Sequence, residues 1–330
     1  MLRTRIILGT LMIAALLALV GLDVWVSSST CNPSTTHGGH RCCCGVAACE
    51  DGPRCPFKQW GLPTVAVLGF LVVLATVEMG GILQSAGYEP VTAWAVVVNV
   101  GLIAIPWLAR LKLPSGETLL SEKADMSAPL MWLTGGFLVT CLLVLARKRT
   151  AGAIKAIGST CVMMLYLGLL GSFLVRIRCL DPGPAGALLV LYTILAIKAC
   201  DIGAYLMGRK LGKTPLAAWL SPGKTIEGFV GGLVLSATVA GVGVLLWTQY
   251  GSQQLGPHPL TLSQAVVFGA FMAIVGHLGD LIESVYKRDI GVKDSGTAVP
   301  AFGGLLDILD SPVFAAPAAW GLLTIFSRIG

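Results

Sequence analysis

Long apolar runs separated by short polar connections dominate the chain, and each run has nearly the ~20 residues a helix needs to cross a bilayer. Nine such spans are expected, over residues 6–22, 62–83, 91–109, 129–146, 154–175, 185–207, 226–247, 262–282 and 306–326. Lipid offers backbone groups no hydrogen-bond partners, which makes helices the default spanning form. Strands of a membrane barrel would alternate polar and apolar residues; these runs do not. The pattern therefore predicts an all-α integral membrane protein, a polytopic bundle of about nine transmembrane helices. Residues 1–330 read as one membrane domain without a soluble appendage, and residues 185–330 as its chemically richer half.

The first run has two readings. Arg3 and Arg5 before a short apolar stretch fit a secretory signal peptide, with Ser27-x-Ser29 as a cleavage site. Asp23 and Trp25 look instead like the interfacial end of a retained helix, which is the expectation adopted.

Composition strengthens the membrane reading. Hydrophobic residues form 55% of the 330 and charged ones 12%, with mean hydropathy +0.80, too little polar surface for a soluble domain. The charges sort by side. Short basic loops stay in the cytoplasm. With the N-terminus inside, the cytoplasmic loops hold Arg147, Lys148, Arg149 and Lys155, then Arg209, Lys210, Lys213 and Lys224, then Lys287, Arg288 and Lys293. The opposite loops hold Arg41, Arg54 and Lys58, then Arg110, Lys112 and Lys123, then Arg176 and Arg178, and the 248–261 loop holds none. The expected location is the bacterial cytoplasmic membrane. The net charge of +6 thus reads as topology, with some attraction to anionic lipid head groups. Nucleic acid is not an expected partner, because no basic face on a soluble domain is apparent.

Three polar stretches stand out: 27–58, 208–224 and 284–304. The first falls on the non-cytoplasmic side and carries Cys31, Cys42, Cys43, Cys44, Cys49 and Cys55 with His37 and His40, six of the ten cysteines in the chain. In an oxidising compartment such a set points first to disulfides of unreadable connectivity. A soft-metal site comes second, since three consecutive cysteines depart from zinc-finger spacing, and free thiols third. The other two stretches face the same compartment across one out-and-back helix pair, so one site can draw on both. No internal repeat is visible, which leaves an inverted-repeat transporter without support from symmetry.

Ionisable groups in or beside spans are expensive, so each asks for an explanation. Asp201 sits with Lys198 near the end of the sixth run, Asp280 and Glu283 close the eighth, and Asp307 and Asp310 open the ninth, one helical turn apart. Between them lie Ser284, Lys287, Arg288, Lys293, Asp294 and a glycine pair, Gly303 and Gly304. Carboxylates beside lysines and glycine turns suit a hard cation bridging phosphate oxygens. Any one of these acids alone is as well explained by a helix end, and Lys287 with Arg288 by interfacial anchoring. Four acids returning to one region are not. Upstream, Ser221-Pro222-Gly223-Lys224-Thr225-Ile226-Glu227-Gly228 enters the seventh run, with Thr225 as a helix cap and Lys224 beside an anion-favouring N-terminus. Gly208-Arg209-Lys210-Leu211-Gly212-Lys213-Thr214 imitates a P-loop but has three residues between its glycines where that motif needs four.

On these residues the chain resembles the phosphatidate cytidylyltransferases, whose C-terminal signature runs S-x-x-K-R-x4-K-D-x-G, then a glycine pair, then D-R-x-D. Ser284, Lys287, Arg288, Lys293, Asp294, Gly296, Gly303, Gly304, Asp307 and Asp310 take the matching positions. Asp201–Tyr205 with Gly208-Arg209, the 221–228 stretch, and Gly279-Asp280 with Glu283 also look like family motifs. The N-terminal half matches in layout, including Arg5 and Glu78. The resemblance implies transfer of the cytidylyl group of CTP to phosphatidic acid, giving CDP-diacylglycerol and pyrophosphate, with Mg2+ at the cytoplasmic face and a second cation left open. It implies Asp280 and Asp307 as metal ligands, and Asp294, Asp310 and Lys293 as further groups of the catalytic centre. For substrate binding it implies Asp201, Ser221, Lys224, Thr225, Glu227, Ser284, Lys287 and Arg288. Three positions depart from the pattern: Phe302 stands for His, Ile308 for Arg, and Gly223 for one lysine of S-P-K-K-T. His277, one turn before Asp280, is the nearest replacement or else a bundle hydrogen-bonder. Alternatives are a CTP-dependent enzyme for another lipid, a degenerate paralogue and, from another class, a transporter. The glycines of 228–243 allow either a homodimer or internal packing.

Overall fold

In the computed structural model the described residues are 17–26, 61–111, 122–181, 183–251, 255, 258–291 and 304–329, with backbone alone over 122–126. The Cys-rich stretch, Lys293, Asp294, Phe302 and Gly303 lie outside them. The helices are α1 (Leu17–Val26), α2 (Leu62–Ser85), α3 (Thr92–Leu108), α4 (Glu122–Leu145), α5 (Ala153–Arg178), α6 (Pro184–Leu211), α7 (Ile226–Gly251), α8 (Leu262–Ile290) and α9 (Leu306–Ile329). Seven are long and apolar enough to cross a membrane, while α1 and α3 are shorter apolar helices. Each matches one expected span. Phe70, Leu142, Val234 and Val267 are exposed on the outer surface, as lipid-facing side chains should be. The chain is an all-α polytopic integral membrane protein.

Two expected loops are partly helix. α8 runs on to Ile290, so Ser284, Lys287 and Arg288 are helical, and Gly291 ends the helix at φ 79°. Lys287 pairs with Glu283 one turn back, and Lys287 and Arg288 lie in the last turn, where cations suit the helix dipole. α6 likewise continues to Leu211. The chain then makes a small antiparallel hairpin that the hydropathy pattern did not reveal, β1 (Pro215–Ala217) against β2 (Ser221–Thr225), before α7 begins.

Small residues set the helix spacing. Gly203 of α6 faces Gly231 and Gly232 of α7 so closely that a Cβ on Gly203 would lie 2.6 Å from the Gly231 carbonyl oxygen. Gly228 meets Ala204 in the same way. These glycines of 228–243 are therefore used inside the bundle, which removes the sequence argument for a homodimer. Buried Asn99 of α3 donates from Nδ2 to Thr76 Oγ1 of α2 (2.9 Å) and to the Met163 carbonyl of α5 (3.3 Å), tying three helices together. Just beyond Met163, α5 widens into a π-turn over Met164–Leu169.

At the end of the bundle away from the hairpin, Arg178 is fully buried and bidentate to Asp23, with Nη2 to Oδ1 at 2.8 Å and Nε to Oδ2 at 3.1 Å. Thr64 donates to the same carboxylate, and Arg178 Nη1 reaches the Asp181 carbonyl (2.8 Å). Asp23 is thus a packed ion-pair partner, not the exposed interfacial marker expected; Trp25 is exposed. Removing one member leaves the other charge buried without compensation. Arg178→Leu should lose about 3–5 kcal/mol of stability, and the Asp23→Leu/Arg178→Leu double variant should recover part of it, read as thermal unfolding in detergent.

His258, between α7 and α8, is buried between the Tyr192 and Trp247 rings, and its Nδ1 accepts the Leu260 N–H at 3.0 Å. Burial pushes its pKa from 6.5 down to about 4. The unfolded chain therefore takes up this proton first. Its contribution to stability is complete above pH 6.5 and is lost as pH falls through about 4. A pH series of unfolding midpoints should fall across that window, and His258→Gln should flatten the fall.

Candidate active site

The last three turns of α8 place Asp280, Glu283, Ser284 and Lys287 on one face, by their spacing of three and four. That face meets the first turns of α9, where Asp307 and Asp310 lie. Gly279 allows the approach, because a Cβ there would lie 2.9 Å from the Phe314 Cβ. Lys287 Nζ bridges the two helices, 2.9 Å from Glu283 Oε1 and 2.6 Å from Asp307 Oδ1. Glu283 and Asp307 thus share one lysine across the two helices. Asp307 Oδ2 accepts the Gly304 N–H (3.1 Å), and Glu78 of α2 accepts the Leu305 N–H through Oε2 (2.8 Å), so two carboxylates fix the start of α9.

α6 closes a second side. Lys198 donates to Asp201 Oδ2 (3.1 Å) and to Ser311 Oγ (2.8 Å). Ser311 in turn donates to Asp310 Oδ1, from its backbone N–H at 2.6 Å and its hydroxyl at 3.3 Å. Asp201 and Asp310 are thereby joined through one lysine and one serine. From the hairpin, Lys224 Nζ comes within 3.4 Å of Asp280 Oδ2.

The hairpin is itself held. Both Glu227 oxygens accept from the 213–214 segment, from the Lys213 N–H (3.1 Å), the Thr214 N–H (3.2 Å) and the Thr214 hydroxyl (2.9 Å). Thr225 caps α7 by accepting the Gly228 N–H at 3.2 Å. These two expected substrate-binding residues therefore serve, in this structure, to fix the loop that carries Lys224. Ser221 pairs with Ala217 at the other end of β2. The Ser284 hydroxyl donates to the Asp280 carbonyl (2.8 Å), and Arg288 is exposed at the end of α8. His277 is buried against Phe229, and its Nε2 has no hydrogen-bond partner among the described residues. Gly223 is exposed with open space around it.

The structure thus brings Asp201, Lys224, Asp280, Lys287, Asp307 and Asp310 to one end of the bundle, with Glu283 among them. Sequence reasoning left Ser311 out of the site, and gave Glu78 no role although a carboxylate in a span is a signal. The donors are carboxylate oxygens, which suit a hard divalent cation over a soft one. Among the described residues no three His, Cys, Asp or Glu side chains form a ready-made metal cage. Mg2+ typically takes one or two carboxylates plus substrate phosphates, and Asp280 and Asp307 on facing helices offer such a pair.

Fold and site together define a class: a polytopic membrane protein with a carboxylate–lysine centre at one end of its helices. Residues 57–326 match the model of the Cytidylyltransferase family, and the chain belongs to that family. It is 35% identical over 171 residues to the phosphatidate cytidylyltransferase of Bacillus subtilis, covering 52% of this chain and 60% of that protein. To that of Synechocystis it is 33% identical over 292 residues, covering 77% and 93%. To that of Staphylococcus aureus it is 31% identical over 258 residues, covering 75% and 86%.

If Glu227 holds the hairpin, Glu227→Ala should open it locally and leave the bundle intact. Trypsin cleavage after Lys213 or Lys224 should then quicken about 10-fold or more, with the unfolding midpoint little changed.

Proposed function

We propose that the chain transfers the cytidylyl group of CTP to phosphatidic acid, giving CDP-diacylglycerol and pyrophosphate. The observation that carries this reading is the meeting of Asp280, Glu283, Asp307 and Asp310 with Lys224 and Lys287 at one end of a membrane bundle, in a chain of this family. In the reaction a phosphate oxygen of phosphatidate bonds to the α-phosphorus of CTP. The bond from that phosphorus to the bridging oxygen breaks, and pyrophosphate leaves with the electron pair. No protein nucleophile is required, since positioning and charge neutralisation supply the catalysis.

Lys224 and Lys287 provide positive charge for the phosphates, and Arg288 a further one at the rim. The chain Asp201–Lys198–Ser311–Asp310 fixes the Asp310 carboxyl, and Glu78 fixes the start of α9 that carries Asp307. Asp280 and Asp307 would hold Mg2+, and by the family resemblance Asp294 and Lys293 would serve the same reaction. When bound, that ion would neutralise phosphate charge as a Lewis acid. The basic connections Arg147–Arg149 and Arg209–Lys213 lie at the site's end of the bundle. By the charge rule this end faces the cytoplasm, in the bacterial cytoplasmic membrane.

Purified protein given labelled CTP, Mg2+ and phosphatidic acid should form a labelled CDP-lipid. Asp280→Asn and Asp307→Asn should each lower the rate by about 1,000-fold or more, the scale seen when a transition-state charge partner is lost. No lipid product with any divalent metal, together with no CTP binding, would sink the proposal.

A further inference from the structure

Tyr166 is the one residue of α5 that combines burial, an unsatisfied polar atom and proximity to the acids. It is 5% exposed, and its hydroxyl has no hydrogen-bond partner among the described residues. A buried hydroxyl left unpaired is unfavourable, so its retention needs a reason. Its position is built by an irregularity. Tyr166 lies inside the π-turn Met164–Leu169, at whose start Asn99 donates to the Met163 carbonyl (3.3 Å). A side chain engaging the helix ladder is a recognised cause of such widening, and π-turns cluster at functional sites. The Tyr166 ring then packs edge-on against Tyr286 of α8, with centroids 5.7 Å apart and planes at 88°. Tyr286 lies between Glu283 and Lys287 in sequence. The hydroxyl sits within electrostatic reach of Asp310, Glu283 and Asp280.

A phenol can give one hydrogen and accept others. Among the described residues it does neither. Helical side chains lean toward the helix N-terminus, and for α5 that is the end bearing the site. We propose that the Tyr166 hydroxyl is a substrate-binding group, donating a hydrogen bond to a phosphate oxygen held at the acid cluster. This rests on the phosphoryl-substrate reading of the site and adds to it a residue from the N-terminal half. The shared chemistry is a phosphate oxygen, brought by the lipid phosphomonoester or by the nucleotide.

The test is Tyr166→Phe, which deletes one oxygen and keeps the ring contact with Tyr286. A structural hydroxyl would destabilise the fold when removed, whereas an unpaired one should leave the unfolding midpoint unchanged or raised. With CTP saturating and phosphatidate varied, and then the reverse, kcat/KM should fall about 10–100-fold for the substrate whose phosphate is bound, the size of a lost hydrogen bond to a charged group. The second substrate should change much less, which identifies the source. Wild-type kinetics for both substrates in Tyr166→Phe would overturn the assignment. Binding supplies the independent arm. Short-chain phosphatidate, CTP and inorganic phosphate are titrated against wild type and variant with Mg2+, and an affinity loss of the same order for one of them is expected. Equal affinities, or wild type binding none of the three, would also overturn it. Wild type that binds a phosphate ligand more tightly than Tyr166→Phe but makes no CDP-lipid would reject the transferase and leave the phosphate site standing.

Discussion

Acidic side chains crowd one end of the bundle, and the lysines among them hold that arrangement in place. Lys287 is central: one ammonium touches Glu283 on its own helix and Asp307 on the next. Lys198 does the same for Asp201 and, through Ser311, for Asp310. Lys224 attends Asp280. Each pair is weak evidence for stability, since desolvation offsets much of the attraction. Their joint effect is positional. A carboxylate tied to a lysine on another element cannot rotate away without leaving that lysine uncompensated, so the ends of α6, α8 and α9 are held in register by the groups that do the chemistry.

That register depends on apolar packing further down. The glycine contacts between α6 and α7 and the Gly279 contact between α8 and α9 bring the backbones close enough for short acids to meet. The hairpin between α6 and α7 then hangs from a pair of helices already fixed, and Glu227 anchors it. The N-terminal half contributes less visibly, yet Glu78 fixes the first amides of α9, and Tyr88 donates to Asp289 (3.1 Å) across to the end of α8. The site is thus walled by both halves, although the recognisable motifs belong to one.

The spans were legible because hydropathy reports a bulk property, burial in lipid or protein, that each run displays by itself. The acids were legible for the converse reason, since a charge beside a span is costly enough to need a purpose. What stayed hidden depended on partners. The Thr225 cap was legible, but nothing in the sequence distinguishes Glu227 as a loop anchor from a ligand contact, because both roles use the same oxygens. Tyr166 carries no charge and sits in an unremarkable apolar run, and its placement follows from a π-turn that no local pattern encodes. The hairpin is too short for a strand periodicity to show. Helical continuation of α8 through Ile290 was masked by polar residues that, once paired with each other, favour the helix.

The Asp23–Arg178 pair bears on how such a chain is made. The two residues are 155 positions apart, and both end fully buried. During synthesis Asp23 reaches the membrane long before its arginine has left the ribosome. Arg178 for its part can leave water only where a counter-charge is ready. Seating of the first helix and burial of the end of α5 are therefore coupled: a molecule whose first helix has strayed leaves Arg178 without its counter-charge.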